Sequence, residues 1–413
     1  MGDVADFERM WRDLAPIGRS ASSGGYFRQP WLPAELELRA WFREAATARG
    51  LEVREDPYGN LVAWWHPEVA PAGTGGTGGR VLTGSHLDSV LDGGAFDGPL
   101  GVVSSFAALD LMRSRGVTPA RSLGVAAFVE EEGSRFGRAC LGSRLAVGAT
   151  SWADARELVD RDGVRLGDLV EGPPDDSEAT TDGAGAALLD GVDTYVELHV
   201  EQGRGLVDRD AAVGIGSAIW PHGRFRYDVS GRADHAGTTR MEDRADPMLT
   251  YAATALAADE EARRTGRRAT FGRIDVRPNG TNAVPSHVTA WLDARAESDR
   301  ALADLVGAIE RRARTRAETD GTDVTVTAES VSGEVAFDVP LRDGLAAALG
   351  DLPVLPTQAG HDAGILQDAG LRSAMLFVRN PSGVSHSPAE TAGVADCLAG
   401  VEALADALTG LVA

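Results

Sequence analysis

The chain contains no lysine: all 40 of its fixed cations are arginine. Acidic residues number 62, so the formal net charge is −22. Such acidity speaks against nucleic-acid binding, and the overall field repels anions. An anionic substrate therefore needs a local arginine to hold it. The remaining consequence of the acidity is solubility, or tolerance of a salty habitat. Cysteine is nearly absent too. Cys140 and Cys397 cannot build a disulfide framework and no CxxC occurs, which fits a reducing cytoplasm. No apolar run reaches the ~20 residues that span a bilayer. The opening MGDVADFERMWRDL lacks the apolar stretch of a secretory signal and the Ser or Thr of a myristoylation site. A cytoplasmic protein is expected, with neither nucleic acid nor membrane as a partner.

What is present is enough chain for more than one core. At 413 residues, two domains are the default. Residues 7–50 read as helical, with the amphipathic ELELRAWFREAATARG stopped at Gly50. NLVAWW reads as a strand and RVLTGSH as a short buried one. GPLGVVSSFAALDLMRSRG reads as a helix. SLGVAAFVEEEGSRFG and TYVELHVEQG are apolar strands ending in polar residues. This strand–helix–strand order predicts an α/β sheet with its site at the strand ends. From about Val213 the strands alternate instead: GRFRYDVSG, FGRIDVRPN, HVTAWLDARAE and DVTVTAES. Two helices fall near 245–264 and 298–317. The pattern predicts a smaller α+β domain over 213–331, inserted between catalytic parts at 1–212 and 332–413. Residues from 332 return to helix, buried strand (AMLFVR) and a last helix over 391–411. PAGTGGTGG (71–79) lacks the Lys-Ser/Thr ending of a phosphate loop and reads as a connector. Residues 172–191 read as a loop.

The chemistry gathers at strand ends. His86, His199, His361 and His386 sit in polar motifs after apolar runs, with Asp97, Glu131 and Glu132 nearby in kind. Imidazoles and hard carboxylates on several strand ends suit a divalent-metal hydrolase. Asp97 lies in the turn GGAFDG, whose glycines let the backbone bring a carboxylate into a crowded centre. Asp88, two residues from His86, can accept the other imidazole N–H and fix its tautomer. Each feature has a plain alternative. A strand-end histidine is more often a hydrogen-bonded core residue, an Asp-Gly pair is usually a turn, and consecutive glutamates are usually a solvated face.

TGSHLDSVLDGGAFDGPLGV, FVEEEGSRF, ELHVEQG, GRADHAGTT, NAVPSHVTAWLDAR, AGHDA and GVSHSPAE occur in that order between about residues 80 and 391. Together they resemble the dinuclear metal amidohydrolases: allantoate amidohydrolases, N-carbamoyl-L-amino-acid hydrolases and β-ureidopropionases. These form a branch of the aminoacylase and metallocarboxypeptidase family. The resemblance implies a mixed-sheet di-metal catalytic domain carrying an inserted α+β lid and dimerisation domain. It implies two divalent ions per subunit, zinc or manganese, with cobalt or nickel possible. His86 and His199 would hold one ion, Glu132 and His386 the other, and Asp97 would bridge them. Glu131 would be the general base and then return the proton to the leaving amine. His235 would steady the oxyanion, reaching the partner's active site in a homodimer joined through the inserted domains. Gln202, Asn282, Arg295 and the backbone at Gly360 would bind a small anionic ureido or carbamoyl substrate, Arg295 as the carboxylate clamp. From its position alone, Arg295 could equally form an ordinary salt bridge with Asp293. His361 and Asp362 are supporting groups rather than ligands.

The expected reaction is cleavage of a ureido or carbamoyl C–N bond with release of ammonia and carbon dioxide. Allantoate and N-carbamoyl-L-amino acids are equally placed as substrates. An N-formyl or N-acyl amino acid, or a dipeptide, is the alternative within the same fold. A binding protein on an inactivated scaffold should lack a ligand or the base, and none is missing. Three departures bear on the pocket: Arg240 stands where such enzymes usually have proline, His222 where many have glutamine, and Gln358 where a small residue is common.

Overall fold

The computed structural model describes residues 2–68, 79–173 and 187–413. Most of the glycine-rich connector at 71–79 and the middle of the 172–191 loop lie outside the described residues. Among the described residues, no helix is long and apolar enough to cross a membrane.

The chain divides into two compact units, Met1–Ala218 with Ala336–Ala413, and Ile219–Val335. The first is built on a nine-stranded sheet. Its strands are β1 (Glu52–Glu55), β2 (Leu61–Trp65), β3 (Arg80–His86), β4 (Leu123–Phe128), β5 (Val192–Val200) and β6 (Val213–Ile219). The second unit holds β7 (His222–Ser230), β8 (Asp234–His235), β9 (Arg268–Arg277), β10 (Ala283–Val284), β11 (His287–Arg295) and β12 (Asp323–Ser332). Three strands of the C-terminal stretch complete the large sheet: β13 (Val335–Ala336), β14 (Val354–Thr357) and β15 (Arg372–Val378). The order is β1-β2-β4-β3-β5-β15-β6-β13, with β14 paired to β6. β4, β3, β5 and β15 run parallel. Every residue of β4 is buried, as expected of a parallel strand covered on both faces. The helix Pro99–Ser114 is buried along most of its length and packs against β3, β5 and the last helix, Val394–Val412. Because β3, β4 and β5 point the same way, their C-terminal ends bring His86, Glu130–Glu132 and His199 to one edge of the sheet.

Two sequence expectations need correction. Residues 7–50 are not one helical stretch: helices cover Gly2–Leu14 and Pro33–Ala48, with turns between them. The buried Arg28 donates to the carbonyls of Leu14 at 2.8 Å and Ile17 at 3.0 Å, so the first helix ends against a side chain from outside it. Gly18, at φ 71°, turns the chain there; a Cβ would lie 2.9 Å from Arg28 Cγ. The other correction is at residue 213. β6 pairs antiparallel with β15 of the large sheet, and the compact inserted unit starts at Ile219, the last residue of that strand.

In the second unit β12-β7-β11-β9 form an antiparallel sheet with helices Pro247–Thr265 and Asp299–Asp320. β11 alternates strictly: Val288, Ala290, Leu292 and Ala294 are buried, while His287, Thr289, Trp291, Asp293 and Arg295 are only partly so. That is the pattern of a sheet with one face on its core. Ser298 caps the second helix by accepting the N–H of Ala301, and Gly321 ends it in the left-handed conformation.

Candidate metal centre

His86 ends β3 with its ring buried. Its Nδ1 faces the main-chain carbonyl of Asp88 at 3.1 Å. The Asp88 carboxylate lies 3.6 Å from the same nitrogen, too long for a hydrogen bond. Its oxygens instead accept the N–H groups of Glu131 and Glu132, each at 3.2 Å. Asp88 thus orients the imidazole with its backbone and the two glutamates with its side chain, rather than gripping the imidazole with its carboxylate. Asp97 faces His86 because Gly98, at φ 84°, leaves room: a Cβ there would lie 2.4 Å from the ring. The N–H groups of Phe96 and Asp97 both donate to Glu390 Oε1, at 2.9 and 3.0 Å.

The three consecutive glutamates do three different things, none of them solvation. Glu130, at φ 55°, accepts the N–H groups of Arg135 and Phe136 and closes its own turn. Burial and the Asp88 charge push it up to about 8. Glu131 directs Oε2 to within 3.7 Å of His86 Nε2, and Glu132 directs Oε2 to within 3.3 Å of His386 Nε2. Burial pushes the Glu131 carboxyl well above the usual carboxylate range, against the pull of His86.

At the end of β5, His199 donates its Nδ1–H to the Val200 carbonyl, 2.9 Å away, leaving Nε2 3.1 Å from Asp97 Oδ1. Gln202 Nε2 donates to Asp97 Oδ2 at 2.8 Å and to Ser385 at 3.1 Å, and stands 3.4 Å from His386 Nε2. His386 sits at φ 54°, and its Nε2 is 3.4 Å from Asp97 Oδ2.

Two groups of possible ligands result, His86–Asp97–His199 and Asp97–Glu132–His386, their donor atoms within 4.8 Å of one another in each. They share Asp97, one oxygen facing each group. The residues fit divalent ions. The Nε2 atoms of His86 and His199 and Oε1 of Glu132 are buried without a hydrogen-bond partner, which a folded protein rarely tolerates without reason. The electrostatics agree. Burial works against charge on His86, yet Glu131, Asp88 and Asp97 hold its pKa well above the ordinary value. The Glu132 hydrogen bond raises His386 to about 9. A field that holds protons on imidazoles draws divalent cations as well, and ligation then releases those protons. A third group, Glu197–His199–His361, lies on the buried side. Burial, then His199, keeps the His361 ring neutral.

The remaining candidates fall elsewhere. Gly360 precedes His361 in an exposed turn. In the inserted unit, Ala283 pairs with His235 across β10 and β8, and Ala236 donates to the Asn282 carbonyl at 3.0 Å, so Asn282 and His235 share one short ribbon. The N–H groups of Gly237 and Thr238 donate to His235 Nδ1 at 3.0 and 3.1 Å. The ring proton is therefore on Nε2, which is presented as a donor. Arg295 ends β11 opposite His222 and pairs with Asp293 at 2.9 Å. Arg240 pairs with Asp243 at 2.7 Å on an exposed turn. Three supporting residues were missed from sequence: Glu390, Ser385 and Glu197. Glu390 closes the quoted GVSHSPAE motif, and the period of two along β5 puts Glu197 on the face of His199.

Residues 82–410 match the description Peptidase family M20/M25/M40. The chain belongs to that family. The N-carbamoyl-L-amino acid amidohydrolase of Geobacillus stearothermophilus is 35% identical over 405 residues, 96% of each chain. The allantoate amidohydrolase of Escherichia coli (strain K12) is 32% identical over 393 residues, 93% of this chain and 92% of that one. A hydantoinase/carbamoylase family amidase from Burkholderia ambifaria superposes with a TM-score of 0.84 at 28% identity, over 99% of this chain and 98% of that one. Within the M20/M25/M40 family, this member lies in the allantoate and carbamoyl-amino-acid amidohydrolase branch and is a hydrolase of non-peptide C–N bonds.

Proposed function

We propose that the protein hydrolyses a ureido or carbamoyl group on a small carboxylic acid, using two divalent ions held by His86, His199, Asp97, Glu132 and His386. The observation that carries this reading is the pair of ligand groups sharing Asp97, with the buried Glu131 beside them. Zinc, manganese, cobalt and nickel all suit such nitrogen and oxygen donors. Divalent ions bound there would acidify water and polarise a carbonyl. Glu131 accepts the proton of the attacking water and delivers it to the departing nitrogen. His235 offers its Nε2–H to the oxygen that gains charge. Arg295 offers a guanidinium to the substrate carboxylate, against a chain whose overall field would repel it. Asn282, Gln202 and the Gly360 backbone supply the remaining polar contacts. The C–N bond breaks to give the amine and carbamate, and carbamate decomposes to ammonia and carbon dioxide.

Relatives of both kinds, carbamoyl-amino-acid and allantoate amidohydrolases, support this reading and do not separate the two substrates. Ammonia release by the manganese-loaded protein, offered allantoate and a series of N-carbamoyl-L-amino acids, tests it. Ammonia is expected from at least one. Silence on all of them with formate released from an N-formyl amino acid would overturn the ureido reading in favour of the N-formyl alternative.

We also infer a cytoplasmic homodimer formed through the inserted unit. β9 is an edge strand of ten residues, most of them exposed, and an open edge of that length invites a second strand. Ile274 on β9, with Leu249 and Leu256 on the helix packed over it, is an exposed large apolar residue. Sedimentation is expected to show a dimer that Leu256→Glu with Ile274→Glu converts to monomer; a monomeric wild type removes this inference.

A further inference from the structure

Of the three histidines in the two ligand groups that share Asp97, two are held by the large sheet and one by a loop. His86 and His199 sit at the ends of β3 and β5, are buried, and donate Nδ1–H to main-chain carbonyls, of Asp88 at 3.1 Å and Val200 at 2.9 Å. His386 belongs to the loop between β15 and the last helix. Its side chain is half exposed, and its Nδ1 has no hydrogen-bond partner among the described residues. The place of that ring is therefore set by what holds the loop.

Asn380 closes the start of the loop. Its side chain accepts the N–H groups of Ser382 at 3.1 Å and Gly383 at 3.0 Å and donates to the Val384 carbonyl at 2.8 Å. Glu390 fastens the end. Its N–H donates to the Ser387 carbonyl at 3.0 Å, and its buried carboxyl group reaches across to the loop of Asp97. There Oε1 accepts the N–H groups of Phe96 and Asp97, and Oε2 lies 3.2 Å from Ser385 Oγ. The same hydroxyl is 3.0 Å from Asp97 Oδ2. Gly94 leaves the room this needs: a Cβ there would lie 2.3 Å from Glu390 Oε1. One side chain thus joins the loop that carries the shared ligand to the loop that carries His386.

We propose that Glu390 is a positioning residue for the metal centre: by clamping the Asp97 loop to the His386 loop it sets the affinity of the Asp97–Glu132–His386 group for its ion, and it leaves the His86–Asp97–His199 group nearly unaffected. The asymmetry follows from the anchors. His86 and His199 keep theirs when Glu390 is removed, whereas His386 loses the end of its loop and with it a fixed distance to Asp97. Partners behind a metal ligand are worth about 10–100-fold in metal affinity. Two buried amides left without their acceptor also loosen the Asp97 loop itself. The proposal rests on the reading of Asp97 as a carboxylate shared by two ions.

Manganese alone, titrated into the full chain by equilibrium dialysis, is the probe. Wild type is expected to take up two equivalents. Glu390→Ala is expected to bind one as wild type does and the other roughly 30-fold more weakly. Glu390→Gln keeps a carbonyl oxygen for the two amides and is expected to stay within about fivefold of wild type at both. Gly94→Ala fills the seat of the carboxyl group while leaving Glu390 in the chain, so it should show the same one-ion loss and serves where Glu390→Ala does not fold. In a His386→Ala background, Glu390→Ala should weaken the remaining ion no further. Hydrogen exchange of the peptide carrying Phe96 and Asp97, in metal-free protein, should be faster in Glu390→Ala and Gly94→Ala than in wild type or Glu390→Gln; this readout needs neither metal nor turnover. Unchanged affinity for both ions in Glu390→Ala, equal weakening of both, or a Glu390→Gln as damaged as Glu390→Ala overturns the proposal. A wild type that binds a single ion overturns the shared-carboxylate reading instead, and takes this proposal with it.

Discussion

Glu131→Gln should reduce turnover by roughly 10³-fold, the scale of general acid–base catalysis, while metal content and fold remain those of the wild type. The amide keeps the size of the carboxyl and can still meet the Cys140 thiol, but it cannot accept the proton of the attacking water. Burial already keeps the Glu131 pKa well above that of an ordinary carboxylate, which suits a group that must take a proton and give it back. The side chain is adjacent to the candidate ligands without belonging to either group of three. That separation makes the prediction sharp: kcat falls and bound metal does not. Metal analysis beside steady-state kinetics decides it. A variant that keeps turnover is not using Glu131 as its base, and a variant that loses metal shows that Glu131 is a ligand.

The second large effect is expected at Asp97. Its two oxygens serve different groups, Oδ1 facing His86 and His199, Oδ2 facing His386. Asp97→Ala should therefore weaken both ions, by more than about 100-fold, since removing even an outer partner of a ligand costs 10–100-fold. Turnover should fall to background. His386→Ala, by contrast, removes a ligand from one group only and should leave one equivalent of metal on His86, Asp97 and His199. Counting bound metal after dialysis distinguishes the cases. Equal loss in the two variants would mean the groups do not load separately, and full retention in Asp97→Ala would end the shared-carboxylate reading. The alanine also removes one acceptor from each of the Gln202 and Ser385 donors, so thermal unfolding must accompany the metal count.

Much of this arrangement is legible in the sequence. Strand ends carry polar residues for a reason that sequence displays, and the motifs around His86, Asp97, Glu131, His199 and His386 lie where apolar runs stop. The alternating strands of the inserted unit were equally plain, because a sheet with one wet face writes its period into the chain. Other features depend on contacts that no local pattern records. The end of the first helix is set by Arg28, which arrives from beyond a turn, so helical periodicity ran straight through it. VGIGSAI at 213–219 forms a strand of the large sheet, and nothing in its residues says which sheet it joins. The Asp88 carboxylate looked like the partner of its near neighbour His86. Its actual partners, the amides of Glu131 and Glu132, come from another strand end.

Glu390 has a consequence for how the protein is made. It holds the amides of Phe96 and Asp97 from 294 and 293 residues away in the chain. β15, which lies between β5 and β6 in the middle of the large sheet, also comes from the last part of the sequence. During synthesis His86, Asp97 and His199 leave the ribosome well before the strand that completes their sheet and the residue that pins their loop. The centre is thus complete only after residue 390 has been made. A chain that stopped before Arg372 would have neither β15 in its sheet nor the His386 side of the site.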